Sequence, residues 1–182
     1  MSKAPEDLLE IFRERLVELS AEYVSCGDLI EASKKLKAIL VAEDWDKVVM
    51  GSEIPEWVRE ISNDYMELIP LANHETSNTL NVRESSRAKA GITRVEAIIA
   101  DTGTLVVPSR ATGDRIASLI PPVHIALIFG AVIYETLADF LENADPGLTY
   151  QFITGPSRTA DIEKQLVLGV HGPLRLLVFG PG

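Results

Sequence analysis

The run Gly155-Pro156-Ser157-Arg158-Thr159-Ala160-Asp161-Ile162-Glu163, followed by Gly169-Val170-His171-Gly172-Pro173, concentrates the residue types that chemistry needs. Gly155 admits positive φ and lets backbone N–H groups approach a ligand. Ser157 or Thr159 is placed to cap a following helix, whose positive end favours an anion. Arg158 adds a planar, permanently charged fork suited to carboxylate or phosphate. Against this, Asp161 and Glu163 fall in the first turn of the same expected helix and would complement its dipole. Structural capping, with Arg158 paired to Asp161, is therefore the competing reading. His171 exchanges protons near neutral pH, which suits an acid or base; alternatively it braces its turn by hydrogen bonding a carbonyl.

Asp101-Thr102-Gly103-Thr104 is the second special loop. An aspartic peptidase needs two such carboxylates sharing a proton, so one copy would require a dimer. A phosphotransferase of the haloacid-dehalogenase type needs an aspartate nucleophile where Ala100 stands. What remains is a tight turn presenting Thr102, Gly103 and Thr104, with Asp101 able to orient a substrate hydroxyl.

The elements that position these loops follow from hydrophobic periodicity. Leu9, Phe12, Leu16, Leu19 and Tyr23 predict a helix, and Asp28 caps a second helix to about Val41, so residues 1–42 form an N-terminal helical segment. Lys47–Met50, Glu67–Leu71, Ala97–Ala100, Thr104–Val107, Val123–Ile128, Tyr150–Ile153 and Leu174–Phe179 read as strands. Pro55–Ser62 and Ala131–Leu141 read as helices, and Val82–Ala90 as a polar loop or short helix. Short strands alternating with helices predict a mainly parallel sheet covered on both faces, in which ligands sit beyond strand carboxyl ends. Loops 101–104 and 154–158 are expected at those ends.

Composition narrows the function classes. With 182 residues, 46% hydrophobic and 24% charged, the chain suits a single α/β domain over 1–182. The net charge of −10 argues against nucleic acid as main partner. The basic side chains Arg83, Arg87, Lys89, Arg94, Arg110 and Arg115 cluster in the middle segment and suit a small anionic ligand or acidic partner. His74, His124 and His171 lack ligand spacing and Cys26 is the single cysteine, so no protein-bound metal or cofactor is expected. The N-terminus lacks the apolar core of a signal peptide, and Pro121-Pro122 and His124 interrupt the longest apolar run. The expectation is a cytoplasmic protein without a membrane span.

Five segments together resemble the lactate-utilisation protein C family and its LUD domain. They are Gly91-Ile92-Thr93, Ala100-Asp101-Thr102-Gly103-Thr104-Leu105, Leu119-Ile120-Pro121-Pro122-Val123-His124-Ile125, Gly155 to Glu163, and Gly169 to Pro173. The similarity runs from about residue 90 to the end; the first 80 residues match only in helical character. The family often has Glu where Asp101 stands. The resemblance implies a Rossmann-like α/β sandwich similar to the NagB/RpiA/CoA-transferase group. It further implies a part in oxidising L-lactate to pyruvate beside iron–sulfur partner proteins, a division of labour that a single cysteine fits. Two alternatives stand beside it: a stand-alone enzyme of the sugar-phosphate isomerase, CoA-transferase or folate cyclo-ligase type, and a non-enzymatic assembly module using the 9–23 stripe, which also leaves an oligomer open. The site expected is Arg158 on an anion, Ser157 with the Gly155-Pro156 backbone and Thr159 beside it, Asp161 and Gly172 nearby, Thr102, Gly103 and Thr104 opposite, and His171 with Asp101 as proton-handling groups.

Overall fold

The computed structural model describes residues 3–65, 67–69, 85–110, 112–160, 166–168 and 172–182. Helix α1 (Pro5–Glu18) starts with proline at its first position and Glu6 and Asp7 against its dipole, and buries Leu8, Phe12 and Leu16. Ser20 at φ 61° turns the chain, and strand β1 (Glu22–Cys26) follows. Tyr23 is thus a strand residue, which corrects the expectation that the first helix runs through it and that 1–42 is helical throughout. Tyr23-Val24 favour extended backbone, and Tyr23 lies opposite Val178 of β12 (Arg175–Pro181) in a parallel pair.

Helix α2 (Leu29–Ala42) starts where expected, with the Asp28 carboxylate accepting the Glu31 N–H at 2.7 Å. Strand β2 (Lys47–Met50), helix α3 (Glu56–Tyr65) and strand β3 (Glu67–Ile69) come next. After them stand β4 (Ala90–Arg94), β5 (Ala97–Ile99), β6 (Thr104–Pro108), helix α4 (Thr112–Leu119) and β7 (Val123–Leu127). The chain continues through β8 (Val132–Tyr134), helix α5 (Leu137–Asn143), β9 (Tyr150–Ile153), β10 (Arg158–Ala160) and β11 (Leu166–Leu168) to β12. Val132-Ile133-Tyr134 is a strand rather than the start of a helix, because its β-branched and aromatic side chains pair alongside β5. The helix begins only at the capping box of Thr136 and Asp139.

Six strands form an all-parallel sheet in the order β1-β12-β7-β4-β2-β3. One face buries Leu36 and Leu40 of α2 and Val58 of α3 against Val48, Ile92, Ile125 and Phe179. The other buries Phe12 and Leu16 of α1 against Ala126, Leu176 and Val178. Each of these side chains larger than alanine contributes about 1.5–3 kcal/mol on leaving water. Alternate residues of β12 thus serve opposite cores, as the two-residue strand period requires. On the α1 side a second sheet, β8-β5-β6-β9, adds Ile98, Leu105 and Val107 to the core. The expected α/β class holds, but β5 and β6 are an antiparallel hairpin, so loop 101–103 does not cap the parallel sheet. The four residues 100–103 suffice for a hairpin, whereas parallel neighbours need a long crossover.

The connections fix where a crevice must open. From β2 the chain passes through α3 to β3 on one side; from β4 it passes through α4 toward β7 on the other. Helices α3 and α4 cover opposite faces, and α4 lies so close that a Cβ on Gly91 would fall 1.8 Å from the Ala117 carbonyl oxygen. The carboxyl ends of β2 and β4 therefore flank the topological switch point, where sheets of this kind bind ligands.

Candidate functional site

The loops singled out in the sequence do meet. Thr104 Oγ1 lies 2.8 Å from both Thr102 Oγ1 and Thr154 Oγ1, forming a row of three hydroxyls across β6 and the end of β9. The Ser157 N–H donates to the Pro173 carbonyl at 2.8 Å, and a Cβ on Gly172 would stand 3.2 Å from Ser157 Cβ. Gly103 (φ 66°) and Gly155 (φ 89°) both need the left-handed conformation. What they approach is α1 and the residue that ends it. A Cβ on Gly103 would lie 2.8 Å from Arg15 Cβ, and one on Gly155 would lie 3.1 Å from Leu19 Cβ. Arg15 Nε also donates to the Asp101 carbonyl at 3.1 Å. The glycines make room for the helix.

Among the described residues, no helix follows Ser157. Arg158–Ala160 is β10, paired antiparallel with β11, because Leu166-Val167-Leu168 offers a strand-forming partner. Backbone N–H groups of a paired strand are not the open donors of a helix start, so among the described residues Ser157 and Thr159 cap no helix and no helix dipole faces Arg158. Asp161 and His171 lie outside the described residues. Asp101 is exposed, its N–H bonded to the Glu135 carbonyl at 3.1 Å.

A different group of charged residues occupies the switch point. Glu53 follows β2, Arg94 ends β4, Glu96 follows it, and Arg110 follows β6. Arg110 Nη2 donates to Glu96 Oε2 at 2.6 Å, and its Nε lies 3.2 Å from Glu53 Oε1. Burial alone would lower the Arg110 pKa, but attraction by Glu53 and Glu96 outweighs it and holds the guanidinium above its ordinary value. Arg94 approaches Glu53 only at 3.9 Å, too far for a hydrogen bond. These four side chains and Pro108 bound a cavity of about 70 Å³. Beside it, sharing Glu96 and Arg110, lies a cavity of about 180 Å³ walled by Val132, Tyr134, Phe140 and Tyr150. The basic middle segment carried Arg94 and Arg110 as a sequence signal; Glu53 and Glu96 had none, because their meeting depends on sheet order.

Nearby, the buried Asp114 carboxylate holds the Ser52 N–H at 2.6 Å. His124, fully buried on β7, lies with Nε2 2.7 Å from Thr93 Oγ1, while Nδ1 has no partner among the described residues; burial pushes its pKa down to about 4. It is a neutral core residue at physiological pH. Among the described residues, no three His, Cys, Asp or Glu groups are arranged for a metal, and no helix is long and apolar enough to cross a membrane.

An α/β sandwich with a charged crevice at its switch point defines the class of protein; comparison with known proteins defines the family. The LUD domain model matches residues 9–179, well beyond the region where the motifs lie, and the chain belongs to that family. It is 30% identical to lactate utilization protein C of Deinococcus radiodurans over 183 residues, covering 97% of this chain and 80% of that protein. Lactate utilization protein C of Anoxybacillus flavithermus is 25% identical, over 93% of this chain and 78% of its own length. The protein of that name in Bacillus subtilis is 37% identical over 103 residues, 52% of this chain and 43% of its own. In fold, the chain matches the crystal structure of a DUF162 family protein from Deinococcus radiodurans with a TM-score of 0.70, at 23% identity and across 100% of both chains.

Proposed function

We propose that this chain is a component of an L-lactate utilisation system, acting in the oxidation of L-lactate to pyruvate beside iron–sulfur partner proteins. The observation that carries the reading is the match across residues 9–179 and the name shared by relatives that align over nearly the whole chain. The cluster belongs on the partners. Cys26 is the single cysteine, it is buried, and burial raises its thiol pKa, so this chain does not fit as the holder of a four-thiolate cluster. Its own contribution is to bind a small anion or dock a redox partner. The test is co-purification: the tagged chain, recovered from cells grown on L-lactate, brings down proteins with the visible absorption of iron–sulfur clusters. Recovery of the chain alone under gentle, anaerobic conditions contradicts the partnership.

One observation favours a second reading, a stand-alone enzyme of the CoA-transferase type. Such chemistry uses a glutamate at a strand end, and Glu53 and Glu96 stand just past β2 and β4. Both carboxylates are engaged with Arg110, which makes them poor nucleophiles. The first reading is therefore preferred.

A further inference from the structure

We infer that the two adjoining cavities that share Glu96 and Arg110 bind a 2-hydroxycarboxylate with an apolar side chain, its carboxylate on Arg94 and its side chain against Tyr134, Phe140 and Tyr150. The 70 Å³ compartment is the polar end. Among the described residues the Arg94 side chain makes no hydrogen bond, only the 3.9 Å contact with Glu53, so its fork of donors can take a carboxylate in two parallel bonds. Arg110 is committed: two glutamates fix it, and together the three carry a net negative charge that Arg94 balances. A neutral crevice of this kind gains little from a bare anion. It suits a ligand whose carboxylate faces Arg94 and whose neighbouring donor faces Glu53 or Glu96, both of which keep acceptor lone pairs.

The 180 Å³ compartment is the side-chain end. Phe140 sits edge-on to Tyr134 at 5.6 Å and to Tyr150 at 5.1 Å, an arrangement that keeps the wall rigid. At about 180 Å³ the compartment has room for a branched or aromatic group where lactate has only a methyl, and Asn143 and Asp145 line it beside the apolar residues. The Asp145 N–H donates to the Tyr150 oxygen at 3.1 Å, which leaves the phenol proton for a ligand acceptor. Choosing a hydroxyl rather than an ammonium group as the donor rests on the functional reading above; the cavities themselves do not.

The test is calorimetric titration of the full chain with 3-phenyl-L-lactate, L-lactate, 3-phenylpropionate and L-phenylalanine. Saturable binding of phenyl-lactate is expected, about tenfold tighter than lactate and about tenfold tighter than 3-phenylpropionate, which lacks the hydroxyl. Arg94→Ala should weaken it at least tenfold with the urea midpoint nearly unchanged, since that side chain is half exposed and its ion pair with Glu53, at 3.9 Å, is too long for a hydrogen bond. Val132→Trp, at a surface position on the cavity wall, should block phenyl-lactate more than lactate. No saturable binding at 10 mM, equal affinity in wild type and Arg94→Ala, or preference for phenylalanine overturns the inference. If deletion of the chain abolishes lactate oxidation but no acid binds, this inference fails and the functional reading stands; if phenyl-lactate binds and lactate oxidation is indifferent to the chain, the reverse holds.

Discussion

Asp114, in the first turn of α4, holds Ser52 just past β2 through the backbone N–H at 2.6 Å and through the hydroxyl, which lies 3.0 Å from each carboxylate oxygen. The two residues are 62 positions apart in the chain, and their contact ties the helix of one crossover to the strand that begins the other.

Removing that buried carboxylate takes a charged acceptor from the Ser52 N–H and empties its place beneath β2 and β4. Asp114→Ala is expected to lower unfolding free energy by about 2–3 kcal/mol, and Ser52→Ala, which spares the N–H contact, by about 1 kcal/mol. Urea unfolding of the two variants checks this. Equal, small effects would mean that the contact does not anchor α4.

Gly91 allows no side chain. A Cβ 1.8 Å from the Ala117 carbonyl oxygen meets backbone rather than a flexible side chain, so α4 must lift off the sheet. Gly91→Ala is expected to cost at least about 3 kcal/mol or to prevent folding. Circular dichroism of the purified variant is the check; a melting curve matching wild type would contradict the packing.

Gly103 and Gly155 face α1 and the turn that ends it. Alanine at either position is strained by positive φ and crowds Arg15 or Leu19, with an expected loss of about 1–3 kcal/mol. Hydrogen exchange should quicken in α1 while β4 and β7 stay protected. Faster exchange in β4 and β7 instead would place the strain elsewhere.

His124 should leave a signature in stability against pH. Its folded pKa of about 4 lies below the ordinary 6.5, so between those values the unfolded chain binds a proton that the folded chain does not. The stability that neutral His124 contributes is complete above about pH 6.5 and is lost as pH falls toward 4, up to about 3 kcal/mol. The stability of wild type relative to His124→Gln should therefore decline by about that amount over the same range. A constant difference would show that the folded chain takes up the proton after all.

Local signals were legible in the sequence where one element decides its own form. Asp28 capping α2 and strand Lys47–Met50 needed only neighbouring residues. The convergence of Thr102, Thr104 and Thr154 was visible only as two unusual loops, and what covers them, Arg15 and Leu19, lies more than 80 residues away. Tyr23 shows the opposite failure: it fits the helical stripe of α1, but pairing with β12 overrides that pattern. Ser157-Arg158-Thr159 looked like a helix start because capping residues and strand starters share hydroxyls; the partner strand Leu166–Leu168 decided. Arg94 and Arg110 stood out by charge, yet Glu53 meets them only because β2 and β4 are neighbours in the sheet.

The central claim is a part in L-lactate utilisation, and one assay reaches it most directly: L-lactate-dependent dye reduction in extracts of a strain lacking this gene, with the purified wild-type chain added back. The account predicts that activity is lost on deletion and returns with the chain. Activity that persists without the chain would contradict it.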